Sequence, residues 1–526
     1  MSLTRTNATA ATLTKNRTED SIVPISGMCV TCVDGCIGMC EIGKSAYRGV
    51  EAIYPQPFGI ITAASEKQYP VDLSHFTILG SCVGAYGTEA DPDKAIFPNV
   101  SLEQTIGHDQ GIKVRLPMVV PGLGSTLIAK NNWEGLAAGA ALSGIILTIG
   151  ENICGMDPET ELKNGRVVRS PQLEQRVRLY TDWQQDGYGA VVLQANVEDT
   201  RLGVQEYAIE KLGVQVVELK WGQGAKDIGG EVKIKDLKRA QMLKDRGYVV
   251  LPDPYNESVI EAFERHVFHE FERHSRIGMV NQEAFFKRAE ELRKAGARYV
   301  TLKTGAYRPR DLALAVKCAS EAKIDLLTVD GAGGGTGMSP WRMMCEWGVP
   351  GVELWSLTYQ YVDRLAKKGK YVPDVAFAGG FILEDHLFKG LALGAPYTKL
   401  IGMARGPLAA CMVGKNIGKA IDNAQVPVYV ERFGRTREEI FVTAPELRRR
   451  FGKDFDRIPS GAIGLYTYMR RLEQGLRQLM CGARKFSLGY LDRTDIASLT
   501  REAEAVSGIP HVMDCDKEEA DRILDS

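Results

Sequence analysis

The sequence lacks the features that mark several common protein classes. No uninterrupted apolar run among the 526 residues is long enough to span a bilayer, so we expect no transmembrane helix. The net charge of -1 argues against non-specific nucleic-acid binding. Residues 1–20 contain no apolar core, which argues against a secretory signal and predicts a disordered tail on a cytoplasmic protein. A transit peptide is the weaker alternative, because the segment has basic residues and no acidic residue before Glu19.

Two nucleotide-binding motifs are also absent. No G-x-x-x-x-G-K-S/T sequence is present, which excludes a P-loop, and no G-x-G-x-x-G sequence follows a predicted strand, so a Rossmann module is not indicated. The chain has 11 cysteines, an odd number, and without a secretory signal we expect no disulfide framework. A content of 44% hydrophobic and 25% charged residues is typical of a globular protein.

Four of the cysteines lie close together in the segment 21–112. Cys29, Cys32, Cys36 and Cys40 have the spacing C-x2-C-x3-C-x3-C, which is one residue longer than the ferredoxin spacing C-x2-C-x2-C-x3-C. Four thiolates this close can enclose a compact metal centre, and we predict a 4Fe-4S cluster. Structural zinc and free buried thiols are the alternatives.

From residue 113 to residue 420, short apolar runs alternate with helical patterns. The runs are Val114–Val120, Ile145–Ile149, Ala190–Gln194, Val214–Leu219, Tyr299–Lys303, Ile324–Val329, Val375–Ala378 and Thr398–Ile401. Eight strands separated by helices predict an α/β protein with a closed (β/α)8 TIM barrel. The N-terminal cysteine-rich segment precedes this barrel, and residues 421–526 form a helical C-terminal extension.

Glycine is concentrated where the barrel strands are predicted to end. Five of the seven residues from Gly331 to Gly337 are glycine, and Gly379, Gly380 and Gly402 follow later strands. Barrels of this type bind ligands at the C-terminal ends of their strands, with phosphate in the loops after strands seven and eight. The pattern predicts a phosphate-bearing ligand, and ordinary tight turns are the alternative.

Motifs at this rim recur in the order of a known family. Residues 217–226, VELKWGQGAK, look like the segment IKIAQGAK of the FMN-binding synthase domain of glutamate synthases. Gly331–Pro340 is similar to that family's GHDGGTGASP, Ala378–Phe381 to ADGGL, and residues 148–151 to part of NTGEGG. The chain therefore resembles this family over about residues 115–420, and the resemblance implies an FMN-dependent oxidoreductase.

The resemblance also implies roles for individual residues. Lys303 matches the lysine of the family's VKLVSE segment, which lies beside the flavin and the substrate; a salt bridge at the barrel rim is the alternative for it. Glu151, Gln223 and Lys226 would place a small acid substrate and move protons. The residues implied to bind the cofactor are Gln194, Gly334, Gly335, Thr336, Gly379, Gly380, Gly402, Met403 and Arg405.

Two departures from the family affect the expected function. Thr304-Gly305-Ala306 stands where relatives have a Ser-Glu pair that helps to hold 2-oxoglutarate, and apart from Cys411 the family's cluster cysteines are missing. We expect electrons to enter from ferredoxin or another electron-transfer subunit through the N-terminal cluster, and then to pass through FMN to an imino or keto acid. The resemblance implies glutamate formation from 2-oxoglutarate, with nitrogen from a separate glutaminase subunit and a homo-oligomeric assembly.

Two other functions stay open at this point. An FMN and iron–sulfur enzyme of the same fold would act on a different amino or keto acid, for example to make an N-substituted glutamate. A non-catalytic, zinc-stapled subunit of a larger complex would need neither FMN nor a substrate. The altered segment after Lys303 motivates the first alternative.

Overall fold

A computed structural model describes residues 22–23, 28–29, 67, 69–108, 111–224, 226–334 and 339–526. The two short segments near the N-terminus are the paired strands Ile22–Val23 and Met28–Cys29. The predicted metal site at Cys29, Cys32, Cys36 and Cys40 otherwise lies outside the described residues, as do Gly335 and Thr336.

The centre of the molecule is a closed barrel of eight parallel strands. In chain order they are β1 (Met118–Leu123), β2 (Ile146–Ile149), β3 (Val191–Ala195), β4 (Val216–Lys220), β5 (Tyr299–Thr304), β6 (Leu326–Asp330), β7 (Asp374–Ala378) and β8 (Thr398–Gly402). Each strand pairs with its neighbours in sequence, and β8 closes the barrel against β1. The predicted (β/α)8 fold is confirmed, and each of the eight apolar runs overlaps one barrel strand.

One main helix follows each strand and completes the strand–helix repeat. These helices are α1 (Leu127–Leu142), α2 (Pro171–Thr181), α3 (Val204–Leu212), α4 (Gln282–Lys294), α5 (Pro309–Glu321), α6 (Gly351–Lys367), α7 (Glu384–Leu393) and α8 (Arg405–Asp422). Local chemistry sets where several begin: the Asn281 side chain accepts a hydrogen bond from the N–H of Ala284 at the start of α4, and Pro309 occupies the first turn of α5. Shorter helices at Ile153–Met156, Val197–Leu202 and Trp341–Glu346 lie in the connections.

The N-terminal end of the barrel is sealed by a hairpin that the sequence did not reveal. Gln104–Ile106 pairs with Ile112–Val114, so β1 begins at Met118 and not at Val114 as predicted. Three hairpin side chains join one buried side chain from each barrel strand in a single apolar cluster. Its members are Ile106, Ile112, Val114, Val119, Ile146, Val192, Val216, Tyr299, Leu326, Ala376 and Leu400.

A small antiparallel sheet is inserted between β4 and α4. Its strands are Glu231–Ile234, Val249–Leu251 and Phe271–His274, with the last of these in the middle, and helices Leu237–Asp245 and Glu257–Glu264 connect them. The sheet has its own apolar cluster, which includes Tyr248 and Phe271 and reaches Met156 in the connection after β2. A second small hairpin, Glu161–Lys163 with Arg166–Arg169, follows that connection.

The region after the barrel is helical, as predicted. Its longest helix, α9 (Ser460–Gly482), packs against α1 and α8 through glycines: a Cβ on Gly464 would lie 2.7 Å from the carbonyl oxygen of Ala410. Strand Ile496–Ser498 pairs with Phe76–Ile78, which joins the chain before the barrel to the chain after it. The other helices are Val428–Glu431, Arg437–Ile440, Ala444–Phe451, Arg501–Ser507 and Lys517–Asp525. In the described ranges, no helix has both the length and the apolar character needed to cross a membrane.

Candidate active site

The interior of the barrel changes from apolar to charged along its axis. On β4, Val216 belongs to the sealed apolar end, whereas Glu218 and Lys220 follow at intervals of two residues. On β5, Tyr299, Thr301 and Lys303 show the same progression. Because alternate residues of a strand share one face, these polar side chains belong to the same inner surface, at its C-terminal end.

Lys303 lies at the centre of this charged end. Its Nζ is 2.9 Å from Oδ2 of Asp330, the last residue of β6, and the lysine is 5% exposed. Burial favours the neutral amine, but the carboxylates of Asp330 and Glu218 outweigh it, so the pKa of Lys303 lies above its ordinary value. The lysine therefore does form an ion pair at the rim, and that pair keeps a positive charge at the C-terminal end of the barrel.

Gln194 and Glu218 form a second buried pair, on neighbouring strands. Gln194 Nε2 donates to Glu218 Oε1 at 2.6 Å, and the hydroxyl of Thr301 lies 3.4 Å from the other carboxylate oxygen. Burial raises the pKa of Glu218, whereas the Lys303 ammonium and the bond from Gln194 oppose that change. Gln194 Oε1 is buried and has no hydrogen-bond partner among the described residues.

Glu151 and Gln223, both predicted site residues, meet at one lysine. Lys220 Nζ is 2.7 Å from Glu151 Oε1 and 3.0 Å from Gln223 Oε1. Burial would raise the pKa of the Glu151 carboxyl, but the Lys220 ammonium more than offsets this and holds it below the ordinary value. Lys220 thus joins the loop after β2 to the loop after β4.

Lys226 is the fourth predicted catalytic residue, and it is 4% exposed. Burial, reinforced by repulsion from Lys220, lowers its pKa to about 8. Some of the amine is therefore neutral near physiological pH, which suits a group that accepts and returns a proton. The Glu151 carboxylate acts in the opposite direction and favours the charged form.

Two further charged groups lie near Glu151: Arg273 on the inserted sheet and Asp199 in the short helix Val197–Leu202 after β3. Arg273 is 1% exposed, lies over the ring of Tyr248 at 4.9 Å, and has an Nε with no hydrogen-bond partner among the described residues. Asp199 accepts a hydrogen bond from the N–H of Asn152 at 2.9 Å. Burial and repulsion from Glu151 raise the pKa of Asp199 to about 7. The guanidinium of Arg273 acts on both carboxylates, so the cluster mixes charges of both signs.

The glycines of the other side of the rim serve two different purposes. A Cβ on Gly379 would lie 2.6 Å from the carbonyl oxygen of Gly331, and Gly334 lies close to Gly379 in the same way, so these residues let two loops touch. Gly380 has φ +95°, and a Cβ there would have open space around it. Of these three described glycines, only Gly380 has room for a ligand to approach its backbone.

The end of β8 lies beside these loops. A Cβ on Gly402 would meet the Ala378 side chain at 2.7 Å, and Met403 is buried. Arg405 is the first residue of α8, whose opening N–H groups have no partner within the helix. The predicted phosphate position after β7 and β8 thus consists of an open glycine and a helix N-terminus.

Five polar residues of this site were not among the predicted site residues, although two of them, Lys220 and Asp330, lie in the glycine-rich rim segments. The five are Asp199, Glu218, Lys220, Arg273 and Asp330. A signal existed for two of them, because charged Glu218 and Lys220 alternate with apolar residues on a barrel strand. Arg273 had no such signal, since it belongs to an insertion of mixed composition. Among the described residues no group of histidine, cysteine or acidic side chains has the geometry of a metal site.

Comparison with known families identifies the segment that carries much of this rim. Residues 273–413 match the sequence model described as a conserved region in glutamate synthase. This segment is therefore similar to glutamate synthase. The predicted family resemblance is confirmed, and with it the prediction of an oxidoreductase, while the substrate, the electron donor and the iron–sulfur cluster stay predictions.

The solved structures that this chain resembles are distant in sequence. The recombinant flavin-binding domain of baker's yeast flavocytochrome b2 is 15% identical, with coverage of 84% of this chain and 80% of that one and a TM-score of 0.45. A mandelate oxidase in complex with (S)-2-phenylpropionate is 15% identical, with coverage of 80% and 86% and a TM-score of 0.43. A comparison with curated protein sequences gives no match.

Proposed function

We propose that this chain is an FMN-dependent oxidoreductase of the glutamate synthase type that reduces a small imino or keto acid. The observation that carries the proposal is the buried Lys303 ammonium, held charged by Asp330 beside the glycine-rich rim. A fixed positive charge in a buried site stabilises negative charge that develops during reduction. The glutamate synthase region at residues 273–413 includes this lysine and its partner.

The described residues fit FMN at three points. Gly380 and the N-terminus of α8 offer backbone N–H groups to a phosphate. Gln194 Oε1 is a buried acceptor that lacks a donor, and Lys303 supplies a cation. When bound, FMN supplies hydride transfer, and the protein supplies position and charge.

The opposite side of the site suits a substrate with carboxylate groups. Lys220, Lys226 and Arg273 bring positive charge near Glu151 and Asp199. Arginine and lysine donors are the usual partners of carboxylates. Lys226 and Asp199, with pKa values of about 8 and about 7, are placed to hold or release a proton near neutral pH. A dicarboxylic keto acid such as 2-oxoglutarate is the substrate that this charge pattern favours.

Electron entry completes the proposal. Cys29, Cys32, Cys36 and Cys40 would hold a 4Fe-4S cluster that receives electrons from ferredoxin or another electron-transfer subunit. A separate glutaminase subunit would supply ammonia, and we expect the chain to assemble as a homo-oligomer in the cytoplasm.

The proposed cluster is tested by the substitution Cys29→Ser. This variant should lose iron and acid-labile sulfide while it keeps FMN bound, and stoichiometric zinc in the wild type would contradict the cluster.

The proposed function is tested on protein purified without oxygen. Cofactor extraction and the visible spectrum should give one FMN per chain, whereas a colourless, metal-free protein would exclude the proposal. The reduced protein is then mixed with 2-oxoglutarate and ammonia, and flavin reoxidation is followed alongside a panel of other keto acids. Rapid reoxidation with 2-oxoglutarate and ammonia, and with no other keto acid of the panel, supports glutamate formation.

One observation favours a different acid substrate on the same flavin chemistry. The Thr304 side chain is fully buried with its hydroxyl unpartnered among the described residues, and a Cβ on Gly305 would lie 2.7 Å from the backbone of Gln223. The segment after Lys303 is thus packed into the wall and does not offer a long side chain to the substrate. Faster reoxidation by another amino or keto acid would support this second function.

A further inference from the structure

The hydrogen bond between Gln194 and Glu218 fixes which end of the Gln194 amide faces the carboxylate. A primary amide has one donor end and one acceptor end, and a carboxylate only accepts hydrogen bonds. With Nε2 of Gln194 donating to Glu218 Oε1 at 2.6 Å, the acceptor end is left over. The opposite orientation would bring two acceptor oxygens together in a buried place, which is strongly unfavourable.

Burial raises the pKa of Glu218, but three of its neighbours favour its charged form. The carboxylate is 4% exposed, but its two oxygens face the Gln194 amide and the Thr301 hydroxyl, and the Lys303 ammonium lies near enough to act on it. The backbone is also fixed, because Gln205 Nε2 donates to the carbonyl oxygen of Glu218 at 3.2 Å. The Glu218 carboxylate is therefore held in place at the Nε2 end of the Gln194 amide.

The left-over oxygen of Gln194 has a defined position. It lies over Gly122 at the C-terminal end of β1, where a Cβ would come within 2.7 Å of it. No described residue donates a hydrogen bond to it, although it is buried. A buried acceptor without a donor is costly, so a ligand group with an N–H is the natural partner.

We infer that the Glu218 carboxylate orients the Gln194 amide so that its oxygen accepts a hydrogen bond from the ring imide N–H of the cofactor. Glu218 is then a positioning residue that acts through Gln194 and does not touch the cofactor itself. This inference rests on the proposed function, since it takes FMN as the ligand. It assigns a donor of the flavin ring, and not a ring oxygen, to this side of the site.

The test compares FMN with an analogue methylated at the imide nitrogen, which cannot donate. Apo-protein of the full chain is titrated with each, and flavin fluorescence gives the two dissociation constants. The ratio compared between variants is the dissociation constant of the methylated analogue divided by that of FMN. Gln194→Leu removes the amide, so its ratio of the two constants measures the steric effect of the methyl group alone. We expect the wild-type ratio to exceed that reference about tenfold, as for a buried hydrogen bond.

Glu218→Gln is the deciding variant. An amide at this position can donate as well as accept, so Gln194 loses its fixed orientation and the ratio should fall towards that of Gln194→Leu. Thr301→Val is the matched control. It removes the longer bond to Glu218 and a bond to the Val217 carbonyl oxygen, leaves the bond between Gln194 and Glu218 in place, and should keep the wild-type ratio. Thermal unfolding of each apo-variant verifies that the barrel is folded.

The outcomes separate this inference from the proposed function. A wild-type ratio equal to that of Gln194→Leu overturns the inference, as does a Glu218→Gln variant that keeps the wild-type ratio. The second result would mean that Glu218 is protonated and acts as a donor. Should Glu218→Gln fail to fold, the wild-type and Gln194→Leu ratios still decide whether the amide accepts from the imide. A wild-type protein that binds no FMN would instead refute the proposed function.

Discussion

The two ends of the barrel interior are built by the same eight strands and have opposite characters. At the N-terminal end, one apolar side chain per strand packs under a hairpin, and the cluster is closed. At the other end, Glu218 and Lys303 are buried, Asp330 is partly buried, and the two carboxylates lie near the one ammonium. Burial of apolar area stabilises the first end, whereas burial of charge at the second is costly unless each charge has a partner. The comparison teaches that this fold keeps stability and chemistry on separate layers.

The largest effect should follow from loss of the central charge. Lys303→Met is expected to lower the rate of flavin reoxidation by acid substrate by about a hundredfold to a thousandfold, as for other buried electrostatic groups. It also leaves Asp330 without its cation. Stopped-flow measurements on anaerobic protein give the rate. Lys399→Met on β8, near Asp374 at the sealed end, is the control and should change the rate little.

A substitution at the sealed end should lower the free energy of unfolding and leave the rate of flavin reoxidation unchanged. Leu326→Ala removes a side chain from the apolar cluster and should cost about 2–5 kcal/mol in the free energy of unfolding. Urea unfolding followed by fluorescence measures this loss. Well below the unfolding temperature, the variant should keep its reoxidation rate per bound flavin. A large fall in that rate would show that the two layers are coupled and would break the comparison.

The charged end should also make stability depend on pH. Burial raises the pKa of Asp199 from 3.8 to about 7, so the folded state holds a proton that the unfolded state has lost. The contribution of this group is present at low pH and falls as pH rises from about 4 to about 7, by at most about 4 kcal/mol. Asp199→Asn should remove that slope, which unfolding midpoints at several pH values will reveal. Equal slopes in both proteins would place the titration elsewhere.

The smallest effect separates two neighbouring glycines. Gly380→Ala places a methyl group in open space at φ +95° and should weaken FMN binding by about tenfold through backbone strain. Gly379→Ala would collide with the Gly331 carbonyl and should lower the unfolding midpoint instead. Titration of apo-protein with FMN and thermal unfolding distinguish the two. If both variants lose only stability, Gly380 has no contact with the ligand.

Much of the barrel was predictable because each strand is a short, buried apolar run. In such a strand the pattern is strong enough to be read without knowledge of its neighbours. The hairpin that seals the barrel was missed because Ile112–Val114 continues almost directly into the apolar run of β1. The inserted sheet was missed for a different reason: its strands are three or four residues long and carry mixed polar and apolar residues.

The candidate site was predictable only in part. Gly380, Lys303 and Lys226 were found from the rim position or from the family motifs, and the structure brings Glu151 and Gln223 together on Lys220. The partners that set their charges were not found. Asp330 lies 27 residues from Lys303 in sequence and 2.9 Å from it in space, and no local pattern records such a pair.

The sequence by itself determined the eight strands, their order and the end at which a ligand is expected to bind, since apolar periodicity and glycine placement are local properties. The tertiary structure alone decided which charges meet. Closure of the barrel puts Gln194 beside Glu218 and Lys303 beside Asp330, and the inserted sheet delivers Arg273. Electrostatic energy depends on distance and burial, and neither quantity is fixed until the strands have paired.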